Sequence, residues 1–234
     1  MKICGLQKLT LLDYPGTVAC TVFLGGCNFR CPWCHNYDLA TNKVPEIMTI
    51  PNLLGFLQER KDKLEGVAIT GGEPCLNTDL PDLLRQIKSI GYNVKLDTNG
   101  SQYDMLKTVI ETGLVDYVAM DIKNSQIKYK PTTGAKYTVD LSSIESIRKS
   151  VNLLMLKGDV DYEFRTTVID EFHELSDFEA IGIWIQGAKH YYLQPFVDRE
   201  SVPYEGFHAP SQDKLRGCLE VVRKYVPQAE IRGI

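Results

Sequence analysis

The sequence predicts an α/β fold whose core is a parallel sheet in the form of an open, partial (β/α)6 TIM-like barrel with a short N-terminal extension. Apolar, β-branched segments alternate with amphipathic helical segments six times along the chain, and this alternation requires crossover connections between parallel strands. Polar or glycine-rich residues follow the carboxyl end of each predicted strand, on the rim where barrel folds carry their active sites. Six units are fewer than the eight of a closed barrel, so we expect an open one.

The elements follow in order from local signals. Residues 1–16 predict a strand or hairpin that ends at the Asp13–Gly16 turn, because Pro and Gly favour tight turns. The predicted strands are then Thr17–Leu24, Gly66–Thr70, Asn93–Asp97, Val115–Asp121, Asp161–Ile169 and His190–Gln194, and the predicted helices are Pro51–Leu64, Leu80–Ile90, Tyr103–Thr112, Ser142–Leu156, Glu174–Gln186 and Gln212–Tyr225. We expect a single domain over residues 1–234, with the barrel core at about 17–200 and the C-terminal helix at about 210–226.

The bulk properties exclude several classes of protein. The net charge of −4 gives no basic surface for nucleic acid. The sequence has no apolar stretch long enough to cross a membrane and no secretory signal, so we expect no membrane partner. Seven cysteines are an odd number without a disulfide-like framework, which favours a reducing compartment and hence the cytoplasm.

The chemistry begins at Cys27, Cys31 and Cys34, spaced C-x3-C-x2-C directly after the strand Thr17–Leu24. Thiolates are soft ligands for iron–sulfur clusters, zinc or copper(I). Three thiolates on a four-iron cubane leave one iron free to bind a small molecule. The alternatives are zinc held by the same cysteines and His35, or buried thiols that pack as small hydrophobes. The remaining cysteines lack ligand spacing and are expected to be buried thiols: Cys4, Cys20, Cys75 and Cys218.

The cysteine spacing, with Trp33 before the third cysteine, resembles the signature of radical S-adenosylmethionine (radical SAM) enzymes. The segments Gly5–Thr10, Asp13–Gly16 and Cys34–Asn36 further resemble the activating enzymes of glycyl radical enzymes, in particular the activating protein of anaerobic ribonucleoside-triphosphate reductase. The resemblance implies the radical SAM fold, a 4Fe-4S cluster on the three cysteines, and SAM as the second cofactor.

The resemblance also implies a reaction. Reductive cleavage of SAM at the cluster gives a 5′-deoxyadenosyl radical, which abstracts hydrogen from a glycine of a partner glycyl radical enzyme. A one-electron donor such as flavodoxin or ferredoxin reduces the cluster. Two alternatives remain open: a radical SAM enzyme that acts on a small molecule, similar to 7-carboxy-7-deazaguanine synthase, and a non-catalytic zinc-binding module.

The same resemblance implies which residues bind SAM. The loop of Gly71, Gly72 and Glu73 would bind the methionyl ammonium, although an ordinary turn also explains it. Arg165 would bind the ribose or the carboxylate, and its rival role is a structural ion pair. The further cofactor contacts implied are Trp33 and Asn36 at the adenosyl end, Asn99 and Lys123 in the motifs after two strands, and Gln194 and Phe196 near the last strand.

A monovalent cation is also implied by the resemblance to the pyruvate formate-lyase activating enzyme. Its ligands would be Asp97, Thr98, Asp121 and the carbonyl of Ala119, beside the SAM carboxylate. Helix capping is the alternative role for these residue types. The polar segment Lys128–Gly134 is either a surface connection or a contact for the macromolecular substrate.

Overall fold

The computed structural model describes residues 1–134, 141–156, 158 and 160–233, and its centre is one eight-stranded sheet. The strands are Ile3–Thr10 (β1), Ala19–Leu24 (β2), Gly66–Gly71 (β3), Asn93–Thr98 (β4), Tyr117–Asp121 (β5), Asp161–Val168 (β6), Tyr191–Pro195 (β7) and Glu230–Ile231 (β8). The α-helices are Tyr37–Ala40 (α1), Ile50–Glu59 (α2), Leu80–Ile90 (α3), Tyr103–Glu111 (α4), Tyr129–Thr132 (α5), Leu141–Leu156 (α6), Leu175–Trp184 (α7) and Gln212–Arg223 (α8). A short 3₁₀ turn spans Pro74–Leu76.

The sheet confirms the predicted open barrel. Strand β1 pairs antiparallel with β2, and every later strand pairs in parallel with its predecessor, in the order β1 to β8. The short elements α1, α5 and β8 were not predicted, because two to four residues are too few to show a period. Helix α2 ends at Glu59 and not at Leu64, since the Arg60 N–H turns back to the Leu57 carbonyl in a tighter final turn.

The core lies between the sheet and the helices that cover it. Strand β2 is almost wholly buried, as expected of a parallel strand with both faces covered. Helix α3 buries one face against the sheet through Leu80, Leu83, Leu84 and Ile87. Full burial of such a side chain contributes about 2 kcal/mol to stability. At the amino end of the barrel, the fully buried Glu163 accepts hydrogen bonds from Arg232 at 2.8 and 2.9 Å and from the Tyr117 hydroxyl at 2.8 Å.

The strand register brings the predicted polar residues to one rim. Leu24 lies beside Gly71, Asp97 beside Ala119, Asp121 beside Arg165, and Thr167 beside Gln194. The carboxyl ends of six neighbouring parallel strands therefore end at one edge of the barrel. Within the described part of the chain, every helix is too short or too polar to span a lipid bilayer.

Candidate active site

A cavity of about 270 Å³ opens at the carboxyl ends of the parallel strands. Residues from the ends of β2 through β7, or from the loops that follow them, line it. Eleven predicted cofactor contacts are among them: Trp33, Asn36, Gly71, Gly72, Asp97, Thr98, Asn99, Asp121, Lys123, Arg165 and Gln194. The three cysteines of the C-x3-C-x2-C motif line the same cavity. The strand ends thus bring together residues that are up to 167 positions apart (Cys27 to Gln194).

The cysteine loop is fixed by main-chain hydrogen bonds at its start. Gly26 has φ +90°, a conformation that favours glycine. Its N–H donates to the Leu39 carbonyl at 2.9 Å, and the Cys27 N–H donates to the Ala40 carbonyl at 3.1 Å. Helix α1 therefore holds the loop as it leaves β2, although the helix is only four residues long.

The three motif cysteines line the cavity, and burial raises the pKa of each thiol. Burial, together with the charge of Glu73, raises the pKa of Cys27 to about 11, and burial raises the pKa of Cys31 to about 12. Burial also raises the pKa of Cys34. Without metal the thiols are protonated near neutral pH, so ligation must displace their protons. The Phe29 N–H already donates to the Cys27 sulfur at 3.3 Å, which stabilises a thiolate there.

The site differs from the zinc arrangement considered above. Within the described ranges, no three His, Cys, Asp or Glu side chains, the motif cysteines included, are grouped around a position for one metal ion, and the fate of His35 is what separates the zinc arrangement from the others. The Nε2 atom of His35 lies 2.6 Å from the Val197 carbonyl oxygen, and its ring stacks on Phe196 at 5.4 Å. His35 therefore holds the segment after β7 over the cysteine loop. Three soft thiols around a shared cavity match the donor set of a cluster ligated by three cysteines.

The glycine loop after β3 packs directly on the backbone of the cysteine loop. A Cβ atom on Gly71 would lie 2.2 Å from the Leu24 carbonyl oxygen, and one on Gly72 would lie 2.0 Å from the Gly26 carbonyl oxygen. Only glycine permits this approach of two backbones. The loop therefore presents peptide groups, and not side chains, to the cavity.

Glu73 does not line the cavity, although it was predicted to bind the cofactor. Its side chain is fully buried and accepts hydrogen bonds from Cys75 N–H at 3.0 Å, Thr98 hydroxyl at 2.8 Å and Asn99 N–H at 2.6 Å. Burial raises the pKa of this carboxyl even though these donors oppose the rise. Glu73 therefore joins the loop after β3 to the loop after β4 and positions Thr98 and Asn99.

A group of charged side chains occupies the floor of the cavity. Arg165 Nε lies 3.0 Å from Asp121 Oδ1, and Lys123 Nζ lies 2.9 Å from Asp121 Oδ2. Burial alone would raise the pKa of Asp121, but Lys123 and Arg165 outweigh it and lower the pKa to about 2. Asp121 is thus ionised at neutral pH. Arg165 lines the cavity and pairs with Asp121, so its position is compatible both with the implied contact to the ribose or carboxylate and with a structural ion pair.

Trp33 and the segment after β5 brace each other. The Trp33 Nε1–H donates to the Thr132 carbonyl at 3.1 Å, and the Lys123 ammonium lies 5.2 Å from the Trp33 ring centroid. Within the predicted substrate-contact segment Lys128–Gly134, residues Tyr129, Thr132 and Thr133 are buried. That part of the segment is therefore structural, and its exposed residues are Lys130 and Pro131.

Three of the predicted site residues do not line the cavity. Two residues outside the predicted site hold Lys123, which does line it. Phe196 is buried under His35, while Ala119 and Glu73 also do not line the cavity. Two buried residues hold the backbone of Lys123. Tyr129 accepts its N–H at 3.2 Å, and the His173 Nε2 contacts its carbonyl at 3.0 Å. His173 lies 50 positions from Lys123, so no local sequence pattern links the two. Tyr129 lies only six positions from Lys123, within the segment Lys128–Gly134 that was predicted to be a surface connection or a substrate contact.

This chain is similar to known proteins both in sequence and in fold. The profile of the Radical SAM superfamily matches residues 21–168. A "Putative glycyl-radical enzyme activating enzyme" of Methanocaldococcus jannaschii is 30% identical over 237 residues, covering 99% of this chain and 96% of that protein. A 7-carboxy-7-deazaguanine synthase of Aquifex aeolicus is 27% identical over 205 residues, covering 88% of this chain and 80% of that protein. Among solved structures, Streptococcus suis SuiB bound to S-adenosylmethionine matches with a TM-score of 0.69 at 12% identity, over 91% of this chain and 52% of that one. The chain spans about half the length of that structure, and the likeness concerns the fold.

Proposed function

This chain belongs to the radical SAM superfamily, and on that premise we propose that it is the activating enzyme of a glycyl radical enzyme. The observation that carries the proposal is the similarity to the Methanocaldococcus jannaschii protein over 99% of this chain. That similarity extends beyond residues 21–168, which contain the motifs for the shared cofactors. It thus includes the N-terminal segment that resembles activating enzymes.

The cofactors of the family are a 4Fe-4S cluster and SAM, and the cavity offers suitable groups for both. Cys27, Cys31 and Cys34 would hold the cluster through three sulfurs. The Phe29 N–H stabilises the thiolate of Cys27, and the Asn99 amide lies 3.9 Å from the same sulfur. When bound, the cluster and SAM together supply a one-electron cleavage that starts hydrogen abstraction.

The residues of the chain bind and orient in this proposal and need not transfer protons. The peptide groups of Gly71 and Gly72 face the cavity and would accept the methionyl ammonium of SAM. Lys123 and Arg165 place positive charge where the methionyl carboxylate would bind. Trp33 and Asn36 line the cysteine side of the cavity, which suits contact with the adenosyl end.

The partner that we propose is anaerobic ribonucleoside-triphosphate reductase. The segments Gly5–Thr10, Asp13–Gly16 and Cys34–Asn36 support this choice by their resemblance to its activating protein. The sheet is ordered from β1 to β8, so the rim is open, and an open rim suits entry of a backbone loop that carries the target glycine. We further propose that residues 1–234 act as one domain in the cytoplasm, with flavodoxin or ferredoxin as electron donor.

The test is activation of the candidate reductase under anaerobic conditions. The reconstituted protein, SAM and a reductant should produce a glycyl radical signal in electron paramagnetic resonance. Cys31→Ala should remove the cluster and the signal. Cys218→Ala is the matched control, because Cys218 is also buried but lies in α8, outside the cavity. A reductase whose target glycine is changed to alanine should give no signal with any variant.

A second candidate is a small-molecule radical SAM enzyme, favoured by the similarity to 7-carboxy-7-deazaguanine synthase over 88% of this chain. Cleavage of SAM and turnover of a pterin, with no radical on the reductase, would reject activation in favour of this function. The non-catalytic zinc-binding module is wrong, because the chain belongs to a family of enzymes.

A further inference from the structure

Lys95 is a buried lysine in the wall of the barrel, outside every motif used above. It lies in β4 two residues before Asp97, so both side chains are on the same face of the strand. Its side chain is 2% exposed, and its Nζ lies 2.5 Å from Asp97 Oδ1. A buried ammonium is costly unless it is paired. The pair with Asp97 therefore has to be kept for Lys95 to be tolerated here.

The Lys95–Asp97 pair continues into the charged group on the cavity floor. Asp97 Oδ2 lies 3.5 Å from Arg165 Nη2, and Arg165 Nε lies 3.0 Å from Asp121 Oδ1. Asp121 Oδ2 is 2.9 Å from Lys123 Nζ. Each of the four carboxylate oxygens thus has its own cationic contact within the alternating series Lys95, Asp97, Arg165, Asp121, Lys123.

This arrangement does not fit the monovalent cation implied by the resemblance. A Na⁺ or K⁺ ion there would have to share carboxylate oxygens that already contact ammonium or guanidinium groups. Three cations and two carboxylates also leave the group with a charge of +1. One further carboxylate, such as that of SAM, would neutralise it, whereas an added metal cation would raise the positive charge.

One further buried carboxylate, on β6, already has its own partner. Glu163 lies two residues before Arg165 on β6, but Arg232 binds both of its oxygens at 2.8 and 2.9 Å. Both oxygens of Asp97 contact a cationic group of the protein, Lys95 at 2.5 Å and Arg165 at 3.5 Å.

We propose that the Lys95 ammonium takes the place of the monovalent cation, so that this chain binds SAM without Na⁺ or K⁺. Lys95 is then a positioning residue, because it acts on the cofactor through Asp97 and Arg165. The inference rests on the SAM site of the proposed function, but not on the identity of the protein partner.

The test measures the dissociation constant of SAM for the cluster-loaded protein by anaerobic equilibrium dialysis. Choline chloride, NaCl and KCl are compared at equal ionic strength. We expect the wild-type dissociation constant to change by less than about twofold among these salts. Lys95→Met should weaken SAM binding about tenfold in choline, because Asp97 loses a buried partner, and K⁺ should restore about fivefold of that loss.

Lys88→Met is the matched control. Lys88 Nζ lies 2.7 Å from both oxygens of Asp116, outside the cavity. This variant also loses a short lysine–aspartate pair, so it reports the general effect of such a loss on stability. Its SAM affinity should equal that of the wild type in all three salts.

Four results would overturn the inference. The first is wild-type SAM binding that tightens more than about twofold in K⁺. The second is a Lys95→Met protein with wild-type affinity in choline. The third is weakened binding in Lys95→Met that K⁺ does not restore, which would make Lys95 merely structural. The fourth is a wild-type protein that binds no SAM in any salt, and only this result would also reject the proposed function. If Lys95→Met does not fold, the wild-type salt series decides alone.

Discussion

Gly72→Ala tests whether the contact between the glycine loop and the cysteine loop is rigid. The new Cβ would lie 2.0 Å from the Gly26 carbonyl oxygen, whereas real Cβ contacts essentially never fall below 3.0 Å. The two loops would therefore have to separate by about 1 Å (3.0 − 2.0 Å). The Gly26 oxygen cannot simply turn away, because it accepts the Glu73 N–H at 2.8 Å.

The expected result has two parts. Overpacking of this kind costs about 1–3 kcal/mol of unfolding free energy, which urea denaturation of the metal-free protein would measure. The shift also moves Cys27, the residue after Gly26, and a misplacement of about 1 Å in an active site slows a reaction about a hundredfold. The rate of SAM cleavage by the reconstituted protein checks the second part, with iron content measured alongside.

Gly55→Ala is a control for which the expected change in stability has the opposite sign. Gly55 is exposed in helix α2, and a Cβ there would have no neighbour within 4 Å. Alanine should stabilise that helix by about 1 kcal/mol and leave SAM cleavage unchanged. A Gly72→Ala protein that keeps wild-type stability to within about 0.5 kcal/mol and cleaves SAM at the wild-type rate would show that the contact between the two loops is not rigid.

Three further predictions concern buried groups that support the barrel and the site. Arg232→Met should lower the unfolding free energy by about 3 kcal/mol, because it leaves the buried Glu163 carboxylate without its bidentate partner. Adding Glu163→Gln should recover part of this loss in urea denaturation, and no recovery would contradict the charge argument. Tyr129→Phe removes the hydroxyl that accepts the Lys123 N–H, so it should lower the unfolding free energy by about 1 kcal/mol. It should also weaken SAM binding in dialysis without loss of iron, and loss of the cluster would indicate a wider structural change. Burial holds the pKa of His173 below its usual 6.5, so the unfolded chain binds the proton first as the pH falls. The contribution of His173 to stability is therefore complete above pH 6.5 and declines as the pH falls below it. His173→Asn should therefore flatten the fall in urea midpoint between pH 7.5 and 5.5, and an unchanged slope would show that other groups cause it.

The sequence alone determined the order of strands and helices and the rim on which the site lies. Both follow from local rules: β-branched apolar runs form buried strands, and parallel strands end at a common edge. The confirmed open barrel needed no more than this alternation. The spacing of Cys27, Cys31 and Cys34 likewise carried the cluster hypothesis by itself, because the ligands of one centre are close in sequence.

The tertiary structure decided how the charged side chains are paired. Strands covered on both faces show no polar alternation, so the sequence does not reveal which way Lys95 or Glu163 points. Arg165 and Asp121 are 44 residues apart, and only the register of β5 with β6 brings them into contact. Glu73 was predicted to face the cofactor, but three buried donors hold its carboxylate between two loops. Such pairings depend on contacts between distant segments, and for that reason the folded barrel, and not the motif, fixes the electrostatics of the site.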